Sequence, residues 1–399
     1  MVKQLTDHVT FRHGATINSR VVMPPMLTFS GQEGGFASED TLKYYNARSQ
    51  AGGMMISEYH YVSETGGPCS VPGFPEQLGI QDDDHLESIR SIAKALKRDG
   101  NKAILQIHHG GREAMGRAAK GKEVLAPSGI DFSFLDYPVR EMTNEEIEGI
   151  IKDFGKATKR AIDAGFDGVE IHGANHYLLQ QFFSTISNHR SDHWGGSLEK
   201  RMNFPLAVVD EVKRVIAEYA PKDFILGYRI SPEEIHGNAI GYTYKESTQL
   251  IAEVAKREQD YLSLSILGGY DAKPKGADQS FGQIFKQIVG DDTKVMVVGG
   301  VFSEAAAADA VANHTDLIGV GRGTLIDPLF GKKILDGQGD TIVSQISPEQ
   351  VKKTAWTPGL FEAFTREDSL GLPALPGQES ILSLHTGQFG EAATSLPTD

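Results

Sequence analysis

The chain has 399 residues, 40% of them hydrophobic, a formal charge of −14 and one cysteine, Cys69. That length fills one large domain with extensions or two smaller ones, and the acidity argues against nucleic acid or an anionic membrane surface as the main partner. A lone thiol excludes an internal disulfide and an iron–sulfur cluster held by several thiolates. The first ten residues lack a charged-then-apolar leader, and no apolar run reaches membrane-spanning length. The expectation is a soluble cytoplasmic protein acting on small molecules, with association into a homo-oligomer left open.

In chain order, residues 11–18 around His13 and Gly14 read as a small hairpin able to plug the floor of a barrel. Eight short apolar runs follow, at 20–26, 54–58, 103–107, 168–172, 224–230, 261–265, 295–298 and 317–320. They are rich in Val, Ile, Leu and Met and do not alternate cleanly, as strands buried on both faces do not. Amphipathic helical stretches separate them, at 40–51, 83–98, 143–164, 198–219, 244–257, 282–289 and 304–312, with a last one near 328–335. The stretch from Thr143 opens Thr-Asn-Glu-Glu, the pattern of a capping box. Eight strand-then-helix units in series predict an α/β fold, a single (β/α)8 TIM barrel over residues 1–335, with a doubly wound open sheet as the alternative. Residues 113–140 form a long insertion after strand three, where loops shape pockets. Residues 336–399 are expected to be a C-terminal extension packing on the barrel or a neighbouring subunit, loose from Leu372 onward by composition.

Active sites of such folds lie where the strands end. Strand four runs into His172, Asn175 and Tyr177. His172 and Asn175 could together hold one carbonyl oxygen, and Tyr177 could supply a proton. Strand one ends in Pro24-Pro25-Met26-Leu27, and strand two in Glu58-Tyr59. Strand three carries Gln106, whose amide suits an imide edge, followed by His108 and His109, which read as packing residues. Arg229 on strand five needs an anionic or electron-rich partner, or else an ion pair with an acid such as Glu58. Gly299-Gly300 after strand seven and Gly321-Arg322 after strand eight build a phosphate site, unless they are ordinary turns. A phosphate site, an imide reader and a cation together match flavin mononucleotide (FMN).

Five segments carry a specific resemblance: NSRVVMPPM (18–26), LQIHHGGR (105–112), AGFDGVEIH (164–172), NHRSDHWGGS (188–197) and GVGR (319–322). In that order the chain resembles the old yellow enzyme family of FMN-dependent ene reductases over roughly residues 5–330. The resemblance implies that Pro24, Pro25, Met26, Leu27 and Tyr59 line a non-covalently bound FMN. It implies that Gln106 and Arg229 contact its ring, and that Gly299, Gly300, Gly321 and Arg322 hold its phosphate. His172 and Asn175 would bind the substrate oxygen, Phe29 would flank the substrate and Tyr177 would protonate the alkene carbon. NADH or NADPH would be the reductant, and enones, related electrophiles or quinones the oxidant. No metal is called for. Leu27 departs from the family, which usually carries Thr or Cys there, and Asn175 stands where some branches have His. A metal-dependent TIM-barrel hydrolase is the alternative, though Pro24-Pro25-Met26 offers no ligand on strand one.

Overall fold

The computed structural model describes residues 2–389. Among them, eight parallel strands close into a barrel: β1 (Val21–Met23), β2 (Met54–Tyr61), β3 (Lys102–His108), β4 (Gly168–Gly173), β5 (Ile225–Ile230), β6 (Tyr261–Ser265), β7 (Lys294–Val298) and β8 (Leu317–Gly319). Each pairs with its sequence neighbour, and β8 closes on β1. The helices that return the chain are α1 (Glu39–Ala47), α2 (Leu86–Leu96), α3 (Asn144–Asp163), α4 (Leu198–Tyr219), α5 (Tyr244–Ala255), α6 (Phe281–Val289), α7 (Glu304–Asn313) and α8 (Phe330–Leu335). The expected capping box at α3 forms: Thr143 accepts from the Glu146 N–H while the Glu146 carboxylate accepts from the Thr143 N–H. No helix among the described residues is long and apolar enough to cross a membrane.

The N-terminal hairpin is present as Val9–Thr10 paired antiparallel with Thr16–Ile17. Val9, Phe11, Ala15 and Ile17 pack against Val22, Met54, Ile104, Ile225 and Met296, closing the N-terminal floor of the barrel. The first strand is shorter than expected. It ends at Met23 because Pro24 and Pro25 have no N–H to offer a ladder. The second is longer and reaches Tyr61, with a register irregularity between Ile56 and Tyr59. A short helix at Arg322–Ile326, absent from the sequence reading, precedes α8.

The chain beyond Leu372 is ordered through 389, contrary to the compositional expectation, and residues 390–399 lie outside the described residues. Leu375 and Ile381 are buried, the Ile346 N–H donates to the Pro376 carbonyl (2.8 Å), and Gln378 bonds the Arg366 carbonyl. A few buried apolar side chains and paired backbone groups suffice to order a segment whose average composition is polar. Upstream, the helix Pro358–Thr365 lies against the barrel mouth. Gly359 abuts Phe29, Trp356 donates to the Leu325 carbonyl (2.9 Å) and Gln350 to the Ile326 carbonyl (2.7 Å).

Candidate active site

Strand registers place the polar residues of the barrel mouth in one layer. Tyr59 pairs with Gln106, Gln106 with Glu170, His172 with Arg229 and Arg229 with Ser263. Side chains two residues apart share a face, so Gln106 and His108, Glu170 and His172, and Ser263 and Ser265 point the same way. Five of these six are buried and Ser265 is half-buried.

The donor side of the Gln106 amide is taken: Nε2 donates to Glu170 Oε1 (2.6 Å). Its carbonyl Oε1 is buried without a partner among the described residues. A buried acceptor left empty is costly, and a donor such as an imide N–H satisfies it. Glu170, which sequence reading did not single out, orients Gln106 and faces Arg229. Burial raises its carboxyl while the Arg229 charge draws it down. Arg229 donates to Ser263 Oγ (3.1 Å) and Ser265 Oγ (3.0 Å), and its Nε is an unpartnered donor. Ser265 Oγ in turn donates to Asn175 Oδ1 (2.8 Å). This relay takes up the acceptor end of the Asn175 amide and leaves its NH2 donors free to face a ligand. Arg229 is not paired with Glu58.

His172, Tyr177, Tyr59 and His108 form a cluster of rings. Centroid separations are 5.1 Å for His172–Tyr177, 5.3 Å for Tyr59–Tyr177 and 4.4 Å for His108–Tyr177. His172 Nδ1 accepts from the Ala174 N–H (3.3 Å), so in the neutral ring Nε2 carries the proton and is a donor. Burial, helped by the Arg229 charge, keeps His172 neutral by holding its pKa well below the ordinary value. The Tyr177 hydroxyl donates to Tyr59 Oη (3.2 Å), and burial pushes its pKa well up, so it keeps its proton at neutral pH. His108 and His109 are buried and bonded to protein, His108 with Gln77 (3.2 Å) and His109 with Thr65 (3.1 Å). They pack, as expected.

Beside this cluster a cavity of about 290 Å³ is lined by Pro24, Pro25, Met26 and Leu27, by Asn175 and Arg229, and by Gly299, Gly300, Gly321 and Arg322. Gly299 and Gly300 are more than ordinary turn residues. A Cβ on Gly299 would come within 2.9 Å of the Ile266 carbonyl, and Gly300 adopts φ +68°, a conformation that side chains disfavour. Gly321 precedes the helix at Arg322–Ile326 and accepts from the Thr324 and Leu325 N–H groups (2.9 and 3.2 Å). The glycine cradle, the orphaned Gln106 oxygen and the Arg229 cation fit the phosphate, imide and electron-rich ring of FMN. Sequence reading missed Leu360, Phe364, Leu372 and Pro373, which line the same cavity from the C-terminal segment. No local signal marks them, because only the tertiary fold brings that segment over the mouth.

Five expected site residues do not line this cavity: Tyr59, Gln106, His172 and Tyr177 stand in the polar layer and ring cluster described above, and Phe29 lies apart from both. Phe29 is fully buried at φ +46°, with its ring edge-on to Phe74, and does not line the cavity. The close approach of Gly359 and the Phe29–Phe74 contact hold it in the core, so it is not placed to flank a substrate. Its neighbour Thr28 is also turned inward. The Thr28 N–H and hydroxyl both donate to the Glu58 carboxylate (2.6 and 2.9 Å), whose pKa burial pushes up to about 8.

The NADH:flavin oxidoreductase / NADH oxidase family model matches residues 8–340. The probable NADH-dependent flavin oxidoreductase YqiG of Bacillus subtilis (strain 168) is 39% identical over 353 residues, covering 88% of this chain and 93% of that protein. The NADH:acrylate oxidoreductase of Vibrio harveyi is 38% identical over 342 residues, 84% of this chain but 33% of that longer protein. Among solved structures, morphinone reductase superposes with a TM-score of 0.73 at 24% identity, covering 89% of this chain and 97% of that one. An old yellow enzyme from a Pichia species superposes at 0.70 with 26% identity, covering 84% and 86%. The chain belongs to the NADH:flavin oxidoreductase / NADH oxidase family, that of the old yellow enzymes, and is an oxidoreductase with FMN as its cofactor.

Proposed function

We propose that this enzyme takes hydride from NADH or NADPH and reduces activated alkenes, with enones and α,β-unsaturated acids as the substrate class and quinones as further acceptors. The observation that carries this reading is the contact of Tyr177 with His172, next to Arg229 and Asn175 at the cavity wall. FMN, when bound, supplies the hydride transfer chemistry. Gln106, Arg229 and the Gly299, Gly300, Gly321 and Arg322 cradle would hold it, with Pro24 to Leu27 along one wall. His172 Nε2–H and the Asn175 amide donate to the substrate oxygen as charge develops there. Tyr177 releases its proton to carbon. The acrylate-reducing relative supports unsaturated acids, though the chain spans only a third of that protein. The family assignment displaces the metal-hydrolase alternative. A cytoplasmic location belongs to the same reading, supported by a lone, buried cysteine.

The purified protein is expected to be yellow and to release FMN, not FAD, on denaturation, because the cradle takes one phosphate and no dinucleotide fingerprint occurs elsewhere. Oxidation of NADH should depend on an added enone or unsaturated acid. A colourless protein that cannot be reconstituted with FMN overturns this reading.

Leu27 presents apolar surface to the cavity where a hydroxyl or thiol is usual in the family. Leu27→Thr adds a donor beside the bound flavin and should raise its reduction potential, on the scale of one neutral hydrogen bond, about 0.5–1.5 kcal/mol. Faster reduction by NAD(P)H and slower reoxidation by enone should accompany the change. A redox titration checks it, and an unchanged potential would reduce Leu27 to a packing residue.

A further inference from the structure

The geometry points to a divalent transition-metal site at the rim of the barrel, formed by His176, Glu234 and His236. His176 lies in the loop after β4, between Asn175 and Tyr177. Glu234 and His236 lie on the first arm of a β-hairpin after β5, Glu234–His236 paired with Ala239–Tyr242. The ligating atoms of the three side chains all lie within 4.8 Å of one another. His176 Nδ1 is 4.0 Å and His236 Nε2 3.9 Å from the same carboxylate oxygen, Glu234 Oε1.

Glu234 is only 2% exposed, and its Oε1 has no hydrogen-bond partner among the described residues. A buried carboxylate oxygen without a partner is expensive, and a cation is what relieves it. The other oxygen, Oε2, is held by the Gln180 amide (2.9 Å), which leaves Oε1 turned to the two imidazoles. The same amide faces His176 Nδ1 (3.2 Å). A metal would take that nitrogen's lone pair while Gln180 keeps its bond to Oε2, an outer partner orienting the ligand.

Two imidazoles and a carboxylate are a ligand set for Zn²⁺ and similar borderline ions. Ligands about 2.0–2.2 Å from Zn²⁺ stand roughly 3.4 Å apart in a tetrahedron, so the two imidazole–carboxylate separations must contract by about half an ångström and the remaining one by up to about 1.4 Å. His236 is exposed and precedes Gly237 at the hairpin tip, where the backbone can give. His176 and Asn175 are consecutive non-glycine residues at positive φ, +62° and +57°. Such a conformation persists where the surroundings impose it, and a metal bound by His176 ties this loop to the hairpin. Three protein ligands leave a fourth position open.

The test uses the untagged, flavin-loaded protein after chelation and desalting, titrated with ZnCl₂ by calorimetry with metal content read by elemental analysis. One Zn²⁺ per chain is expected. In His236→Ala and in Glu234→Gln the affinity should fall by more than about tenfold, since even outer partners of metal ligands are worth that much. An unchanged flavin spectrum shows that each variant is folded. Absence of binding by the parent protein, or an affinity unchanged from the parent's in either folded variant, overturns the site.

Discussion

Tyr177→Phe is expected to spare reduction of the enzyme by NAD(P)H and to slow reduction of enones by about 10²–10⁴-fold, the usual contribution of a positioned general acid. Enone reduction needs a proton on carbon, whereas a quinone takes its proton on oxygen, where solvent can supply it. Quinone turnover should therefore fall much less. The structure supports the assignment. Burial keeps the Tyr177 hydroxyl protonated, and its contact with Tyr59 Oη fixes its direction. The variant leaves Tyr59 Oη without this partner, at a stability cost of about 1 kcal/mol, readable as a small drop in melting temperature. Stopped-flow measurement of the two half-reactions separates the effects. Equal losses for enone and quinone would show that Tyr177 is not the acid.

The second large effect is expected for His172→Ala combined with Asn175→Ala. Each side chain offers one neutral donor to the substrate oxygen, and removing a donor to a developing oxyanion typically costs about 2–4 kcal/mol. The double variant should lose enone turnover and bind phenol, a mimic of the enolate, far more weakly, as judged by the long-wavelength absorption that phenols induce in the flavin. The losses should not add. Asn175 is joined to Arg229 through Ser265, so its removal also frees the Ser265 hydroxyl beside the Arg229 cation. His172→Ala leaves the Ala174 N–H without its acceptor, so a normal flavin spectrum in each single variant is the control. Phenol binding unchanged in the double variant would make both residues structural.

The placement of the polar groups at the barrel mouth could be anticipated because it is set locally. Period-two placement on buried strands puts Gln106, His172 and Arg229 at strand ends, and backbone chemistry makes Gly300 and Gly321 recognisable as a cradle. The same logic does not foresee the burial of Phe29 and Thr28. Two residues past the Pro24-Pro25 turn the chain dives inward, and nothing local shows that Glu58 and Gly359 will draw it there.

What the sequence by itself determined is the repeat of eight buried strands with helices between them, the caps that start those helices and the chemical type of group at each strand end. These follow from side-chain periodicity and backbone geometry, which act over a few residues. What only the tertiary structure decided is which donors stay free. Glu170 takes the Gln106 amide, Ser265 takes the Asn175 carbonyl, and Gln180 takes one oxygen of Glu234 and leaves the other bare. It also decided that Leu360, Phe364 and Leu372 cover the cavity. The reason is physical: a hydrogen bond is made by whichever group the fold brings within about 3 Å, and neither partner carries a mark of the other in its own stretch of chain.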